Sequence, residues 1–136
     1  MVNEADNNLS GYSIDRKDGG LTSITGSPFS TGGRPRSVAV TPNSKFAYVA
    51  NFFDGTVSGY SVDPKTGVLT QVPASPPTGS MPRSVAVDIT GQFVYVTNSG
   101  SNNVSAYTID CAGSLTPLSG SPFPADLGAA AIAITK

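Results

Sequence analysis

Two short strings, Pro35-Arg36-Ser37-Val38-Ala39-Val40 and Pro82-Arg83-Ser84-Val85-Ala86-Val87, each place one arginine at the head of a small, β-branched run, 47 residues apart. Two guanidinium groups brought together from equivalent positions make a clamp for a carboxylate or phosphate, because each presents a planar fork of donors that matches a pair of anionic oxygens. Asn51 and Asn98 keep the same spacing at the ends of Tyr-Val-Ala-Asn and Tyr-Val-Thr-Asn. An asparagine ending a strand serves its own turn as readily as a ligand. Phe52-Phe53 follows Asn51, where the other copies carry Ser99-Gly100 and Glu4-Ala5. Two aromatics in one turn can stack on a ligand, seal a subunit contact or tuck between neighbouring elements. Arg36, Arg83, Asn51, Asn98, Phe52 and Phe53 are therefore the candidate ligand-binding set. The third copy of the arginine motif reads Ala129-Ala130, so the strand itself does not require the arginine.

The composition excludes most other chemistry. The chain has 136 residues, eight Lys plus Arg, nine Asp plus Glu, and no histidine, for a formal charge of −1. Without histidine there is no Ser-His-Asp or Cys-His nucleophile, and most catalytic zinc sites are lost as well. Asp54, Asp63, Asp88 and Asp110 are scattered through turns and strand ends, so no catalytic carboxylate pair is nominated. No catalytic residue, metal-ligand set or cofactor motif is identified, and there is no phosphate-cradling loop, calcium loop or nucleophile elbow. Near-neutral charge argues against nucleic acid, which demands a concentrated basic face. No apolar run approaches the ~18 residues of a membrane span. The start, MVNEADNNLSGYS, lacks the basic and apolar regions of a signal peptide. A soluble protein is expected, in a compartment left open. Cys111 stands alone and forms no intrachain disulfide. Asn8-Leu9-Ser10 and Asn103-Val104-Ser105 match glycosylation acceptors but fall in the same repeat turn, where asparagine is a turn former.

The elements that position these residues come from an internal repeat. Besides the arginine and asparagine strings, Ser10–Asp15 (SGYSID) returns as Ser58–Asp63 (SGYSVD) and Ser105–Asp110 (SAYTID). Gly26–Phe29 (GSPF) returns at Gly120–Phe123, with a degenerate ASPP at Ala74–Pro77 between them. All five tyrosines fall in two columns, Tyr12, Tyr60 and Tyr107, and Tyr48 and Tyr95. Aromatics confined to repeat columns are core packers, since each repeat buries the same face against its neighbour. Each unit reads as four short strands separated by turn signals, with FAYVAN and FVYVTN alternating as strands buried on both faces should. Four antiparallel strands per ~40–50 residues is the blade of a β-propeller. The expected fold is all-β: a single propeller segment over residues 1–136, with repeats at about 3–50, 51–97 and 98–136.

YVTNSGSNNVSAYTID followed by GSLTPLSGSPF resembles the YVTN-type repeat of the lactonase-like seven-bladed propellers, which include bacterial 6-phosphogluconolactonases and fungal carboxy-muconate lactonizing enzymes. The resemblance covers essentially the whole chain. It implies a ligand site at the channel mouth, where the loops leading into first strands meet the loops between second and third strands. That geometry groups the arginines with Asn51, Asn98 and the Phe52-Phe53 turn. The family's muconate enzymes are thought to use histidine with arginine and acidic partners, and this chain has no histidine. Three readings stand. One is a binding or assembly scaffold whose arginine face takes a small anionic or sugar-like ligand. Another is a lactone hydrolase holding its substrate through Arg36 and Arg83, and the third is an extracellular adhesion or carbohydrate-binding repeat.

Counted in repeat units, Asn3 aligns with Asn51 and Thr135 with Thr41. The expected strands are thus a final pair at Leu9–Asp15 and Leu21–Thr25, two full blades, and a lone first strand near Ala131–Thr135. Two and a half blades do not close a ring. Either copies of the chain associate head to tail, two copies giving about six blades, or the chain is a piece of a longer protein.

Overall fold

The computed structural model describes residues 1–73 and 76–135, and every regular element in it is a β-strand. The first repeat contributes β1 (Val2–Asn3), β2 (Asn8–Leu9), β3 (Tyr12–Ile14), β4 (Leu21–Ser23) and β5 (Phe29–Ser30). β1, β2 and β5 form one small antiparallel sheet, while β3 and β4 form a hairpin. The expected strand Leu9–Asp15 is thus interrupted at Ser10-Gly11. Two complete antiparallel blades follow. The first is β6 (Pro35–Val40), β7 (Phe46–Asn51), β8 (Thr56–Val62) and β9 (Leu69–Gln71). The second is β10 (Pro82–Val87), β11 (Phe93–Asn98), β12 (Asn103–Ile109) and β13 (Leu115–Pro117). β14 (Phe123–Pro124) rejoins the start of β12. Of the ASPP string, Ala74 and Ser75 lie outside the described residues.

The alternation read from the sequence explains the layering. In β7, Tyr48 and Ala50 pack toward the second blade with Val94, Val96 and Tyr107, whereas Val49 packs the other way with Leu9 and Tyr60. Tyr48, Val49 and Ala50 are fully buried, as a strand sandwiched between blades requires. The tyrosine columns also stitch neighbouring blades together. Tyr60 donates its hydroxyl to the Ser30 carbonyl of the unit before it (2.5 Å), and Tyr107 does the same to Pro77 (2.8 Å). Tyr48 reaches forward to the Gly113 carbonyl (2.9 Å).

The aspartates of the third-to-fourth-strand turn are turn formers. Asp15, Asp63 and Asp110 each accept a backbone N–H two residues on, at 2.8–2.9 Å. Asp63 also takes the backbone and side-chain bonds of Thr66, which hold its carboxyl below the ordinary carboxylate range. Gly113, in the same turn of the second blade, has φ +86, and a Cβ there would run into the Phe46 ring. Gly113→Ala is expected to cost about 2–4 kcal/mol, from left-handed strain plus overpacking; urea unfolding will measure it.

One expectation fails. Ala131–Thr135 forms no strand, although alternate residues are half-buried and exposed as in one. The physical reason is that a strand exists through its ladder, and among the described residues nothing pairs with this segment. Among them, too, no helix is long and apolar enough to cross a membrane.

Candidate functional site

The arginines owe their direction to a backbone irregularity. Pro35 pairs with Asn51 and Ser37 with Ala50, so Arg36 is an extra residue in the ladder; Arg83 is extra in the same way between Pro82 and Ser84. Such a bulge re-aims the side chain that occupies it. Arg36 and Arg83 thereby line one cavity of about 600 Å³, together with Val2, Glu4, Pro35 and Ala130. Ala130 is the third copy's counterpart of the two arginines, so three repeats converge there.

The electrostatics are asymmetric. Glu4 Oε1 accepts hydrogen bonds from Arg36 Nη2 (3.0 Å) and Nε (3.3 Å), and lies 2.9 Å from Arg34 Nη2. The Arg36 guanidinium also sits 3.9 Å from the centroid of the Phe52 ring, with that of Arg34 at 6.0 Å. Arg36 is thus fixed from two sides, by a carboxylate and by an aromatic face. Arg83 has no ion pair among the described residues and is exposed. Glu4 pairs with Arg34 and Arg36 while Arg83 lines the same cavity as Arg36, so positive charge exceeds negative at this face of a chain whose formal charge is −1. The Arg36 hydrogen bond is the main reason that the Glu4 carboxyl stays below its ordinary pKa, with the charges of both arginines adding to it.

Glu4 competes with any bound anion for Arg36. Glu4→Gln is expected to tighten the binding of a small anion about threefold at low salt by removing that competition. Calorimetry on the two proteins checks this, and weaker binding in the variant would instead make Glu4 a positioning group for Arg36.

The other candidates are placed differently. Phe52 is the platform under Arg36 and a wall of a second cavity, about 710 Å³, which it shares with Phe53, Asp54, Gly79, Met81 and Ser101. Phe53 is 76% exposed at its mouth. Asn51 and Asn98 are fully buried. Their amide groups donate to side chains of the following strand rather than to turn backbone: Asn51 to Thr56 (3.0 Å) and Ser58 (2.8 Å), Asn98 to Asn103 (2.8 Å) and Ser105 (2.9 Å). Both Oδ1 atoms lack a partner among the described residues. Above each asparagine runs a glycine, Gly32 or Gly79, whose absent Cβ is what allows the close approach. The structure therefore unites Arg36, Arg83 and Phe52 and keeps Asn51 and Asn98 beneath the surface.

Sequence reasoning missed Arg34 and Glu4. Arg34 stands at φ +51 in a column with Met81 and Gly128, both also at positive φ, so it was visible only as a loop residue. Glu4 shares a column with Phe52 and Ser99, and nothing in that column signals an ion pair.

The family described as "Lactonase, 7-bladed beta-propeller" matches residues 1–127. A functionally unknown protein from Desulfotomaculum acetoxidans is 26% identical, with a TM-score of 0.73 over 85% of this chain and 35% of that one. A putative 6-phosphogluconolactonase from Bacteroides fragilis is 21% identical, with a TM-score of 0.84 over 95% of this chain and 36% of that one. The periplasmic gluconolactonase of Pseudomonas aeruginosa is 19% identical, with a TM-score of 0.79 over 93% and 36%. The chain thus spans about a third of the length of these structures. No curated protein matches it.

Proposed function

The chain belongs to the lactonase family of seven-bladed β-propellers, and from that membership we propose that its Arg36–Arg83 cavity binds a small organic anion of the sugar-acid kind. The observation that carries this reading is the pair of bulged arginines from consecutive repeats opening into one cavity of about 600 Å³, Arg83 having no ion pair among the described residues. An anion seated between them takes bidentate, charge-assisted hydrogen bonds from two forks. Val2 and Ala130 leave part of the wall apolar, which suits the carbon skeleton of such a ligand. Relatives named as gluconolactonases support the sugar-acid class.

Hydrolysis of a sugar-acid lactone is the second reading, favoured by the same membership. It needs a base for the attacking water, and Glu4 is the carboxylate that lines the cavity. Held below its ordinary pKa by Arg36, Glu4 is a weak base at neutral pH, so binding is the stronger reading and any turnover is slow. The test is calorimetric titration with 6-phosphogluconate and gluconate, alongside a pH-stat assay on the matching lactones. Saturable binding without turnover supports the anion-binding reading, and turnover abolished in Glu4→Gln moves the assignment to the hydrolase. Absence of binding at low salt overturns both.

A further inference from the structure

We propose that the cleft of about 710 Å³ between the Phe52–Gly55 turn and the Thr78–Met81 connection is a second binding site, which takes a neutral pyranose ring of β-gluco configuration. The cleft lies between the two complete blades, and every residue that lines it falls between positions 52 and 101. Two interfaces of the same molecule show why it stands open. Arg34 and Met81 hold the same place in successive repeats, as do Glu4 and Phe52. At the earlier interface Arg34 reaches Glu4 at 2.9 Å. At the later one Met81 and Phe52 stand where that ion pair was, and both line the cleft. Met81 is 50% exposed and Phe53 76%, so the packing of the blades does not use their apolar surface. Met81 also stands at φ +54, where the third repeat has Gly128 at φ +74. A side chain in that left-handed conformation is strained, and strain held at a ligand-sized opening marks function rather than folding.

The walls select the ligand. Phe53 and Met81 come one from each of the two loops that bound the cleft, while Asp54 and Ser101 supply polar groups. Asp54 accepts the Gly33 N–H through Oδ2 at 2.6 Å, which leaves Oδ1 without a partner among the described residues. Ser101 accepts the Ser80 N–H in the equivalent way, also at 2.6 Å, so its hydroxyl proton is left to donate. The two loops are tied at their base by the Thr78 N–H on the Gly55 carbonyl (2.8 Å). Acceptor and donor are thus held in place before a ligand arrives. An anion is disfavoured, because a carboxylate lines the cleft and no lysine or arginine does. An organic cation is disfavoured by the adjoining arginines, two of which, Arg34 and Arg36, lie over the Phe52 ring. A β-glucopyranose ring carries all its substituents equatorial, so both faces are C–H surfaces and the hydroxyls radiate from the edge. Such a ring suits a phenyl wall facing a thioether wall, with its edge toward Asp54 and Ser101.

The test titrates the 136-residue protein with methyl β-D-glucopyranoside, followed by saturation-transfer NMR and by amide shifts. The expected result is saturable binding in which the ring C–H protons receive the strongest transfer, with shifts at Phe53, Asp54, Met81 and Ser101. Phe53→Ala is expected to weaken binding about tenfold by removing one wall. Met81→Gly removes the other wall and relieves the left-handed backbone, so binding is expected to fall similarly while urea unfolding stays close to that of the parent. Methyl β-D-galactopyranoside turns its axial hydroxyl onto one apolar wall, and is expected to bind about fivefold more weakly or worse. Absence of saturable binding of the glucoside, equal binding in Phe53→Ala and Met81→Gly, or equal binding of the two sugars each overturns the proposal.

Discussion

Tyr48→Ala is expected to lower stability by about 3–5 kcal/mol, and Tyr95→Ala by less than half of that. The two residues occupy the same column of the repeat and the same place in successive second strands. What separates them is the neighbour. Tyr48 is fully buried among Val94, Val96, Tyr107 and Leu115 and donates to the Gly113 carbonyl, so truncation opens a cavity and orphans an acceptor. Tyr95 is only half-buried, and no residue of a following unit receives its hydroxyl among the described residues. Tyr48→Phe removes the hydrogen bond alone and should cost about 1 kcal/mol. Burial, with the charge of Asp110 second, raises the Tyr48 hydroxyl above its ordinary pKa of 10.0. A raised pKa means that its contribution is complete below pH 10.0 and is lost as pH rises toward the folded value. Urea unfolding at pH 7 therefore reads packing and hydrogen bonding without interference from ionisation. Equal losses at the two positions would show that both faces of the second blade are covered alike in solution.

The contrast between these tyrosines also marks how far the sequence could be read. The columns announced blades because a repeat must present the same aromatic to each neighbour, and β7 and β11 stand where FAYVAN and FVYVTN placed them. Ala131–Thr135 carries the same alternation and forms no strand, since alternation records which side chains suit a strand and not whether a ladder partner is present. The site was legible where it rests on repetition. Arg36, Arg83 and Phe52 were found through spacing or its breach. Glu4 and Arg34 were not, because an ion pair across 30 or more residues has no periodic signature. The bulge that aims both arginines was equally hidden: it occurs in both copies, so the offset of 47 is unchanged by it.

Arg83→Ala is expected to weaken binding of a small carboxylate or phosphate by about ten- to a hundredfold, the usual loss for a charge-assisted hydrogen-bond pair, with little change in stability. Arg83 is exposed and without an ion pair among the described residues, so nothing in the fold depends on it. Arg36→Ala should weaken binding to a similar degree but also loosen the mouth of the cavity, because Arg36 bridges Glu4 and the Phe52 ring. The two effects separate by measuring affinity and unfolding on the same proteins. If both forks hold one anion, the double variant loses less than the product of the single losses, since residues sharing a partner are not additive. An unchanged affinity in Arg36→Ala would place the anion on Arg83 alone, with Arg36 a structural group. Arg83→Lys decides whether charge or geometry matters: lysine keeps the charge but cannot offer a planar fork, so a loss close to that of Arg83→Ala identifies bidentate recognition. Affinity in each protein should fall as salt rises, and the fall should be shallower once a guanidinium is gone.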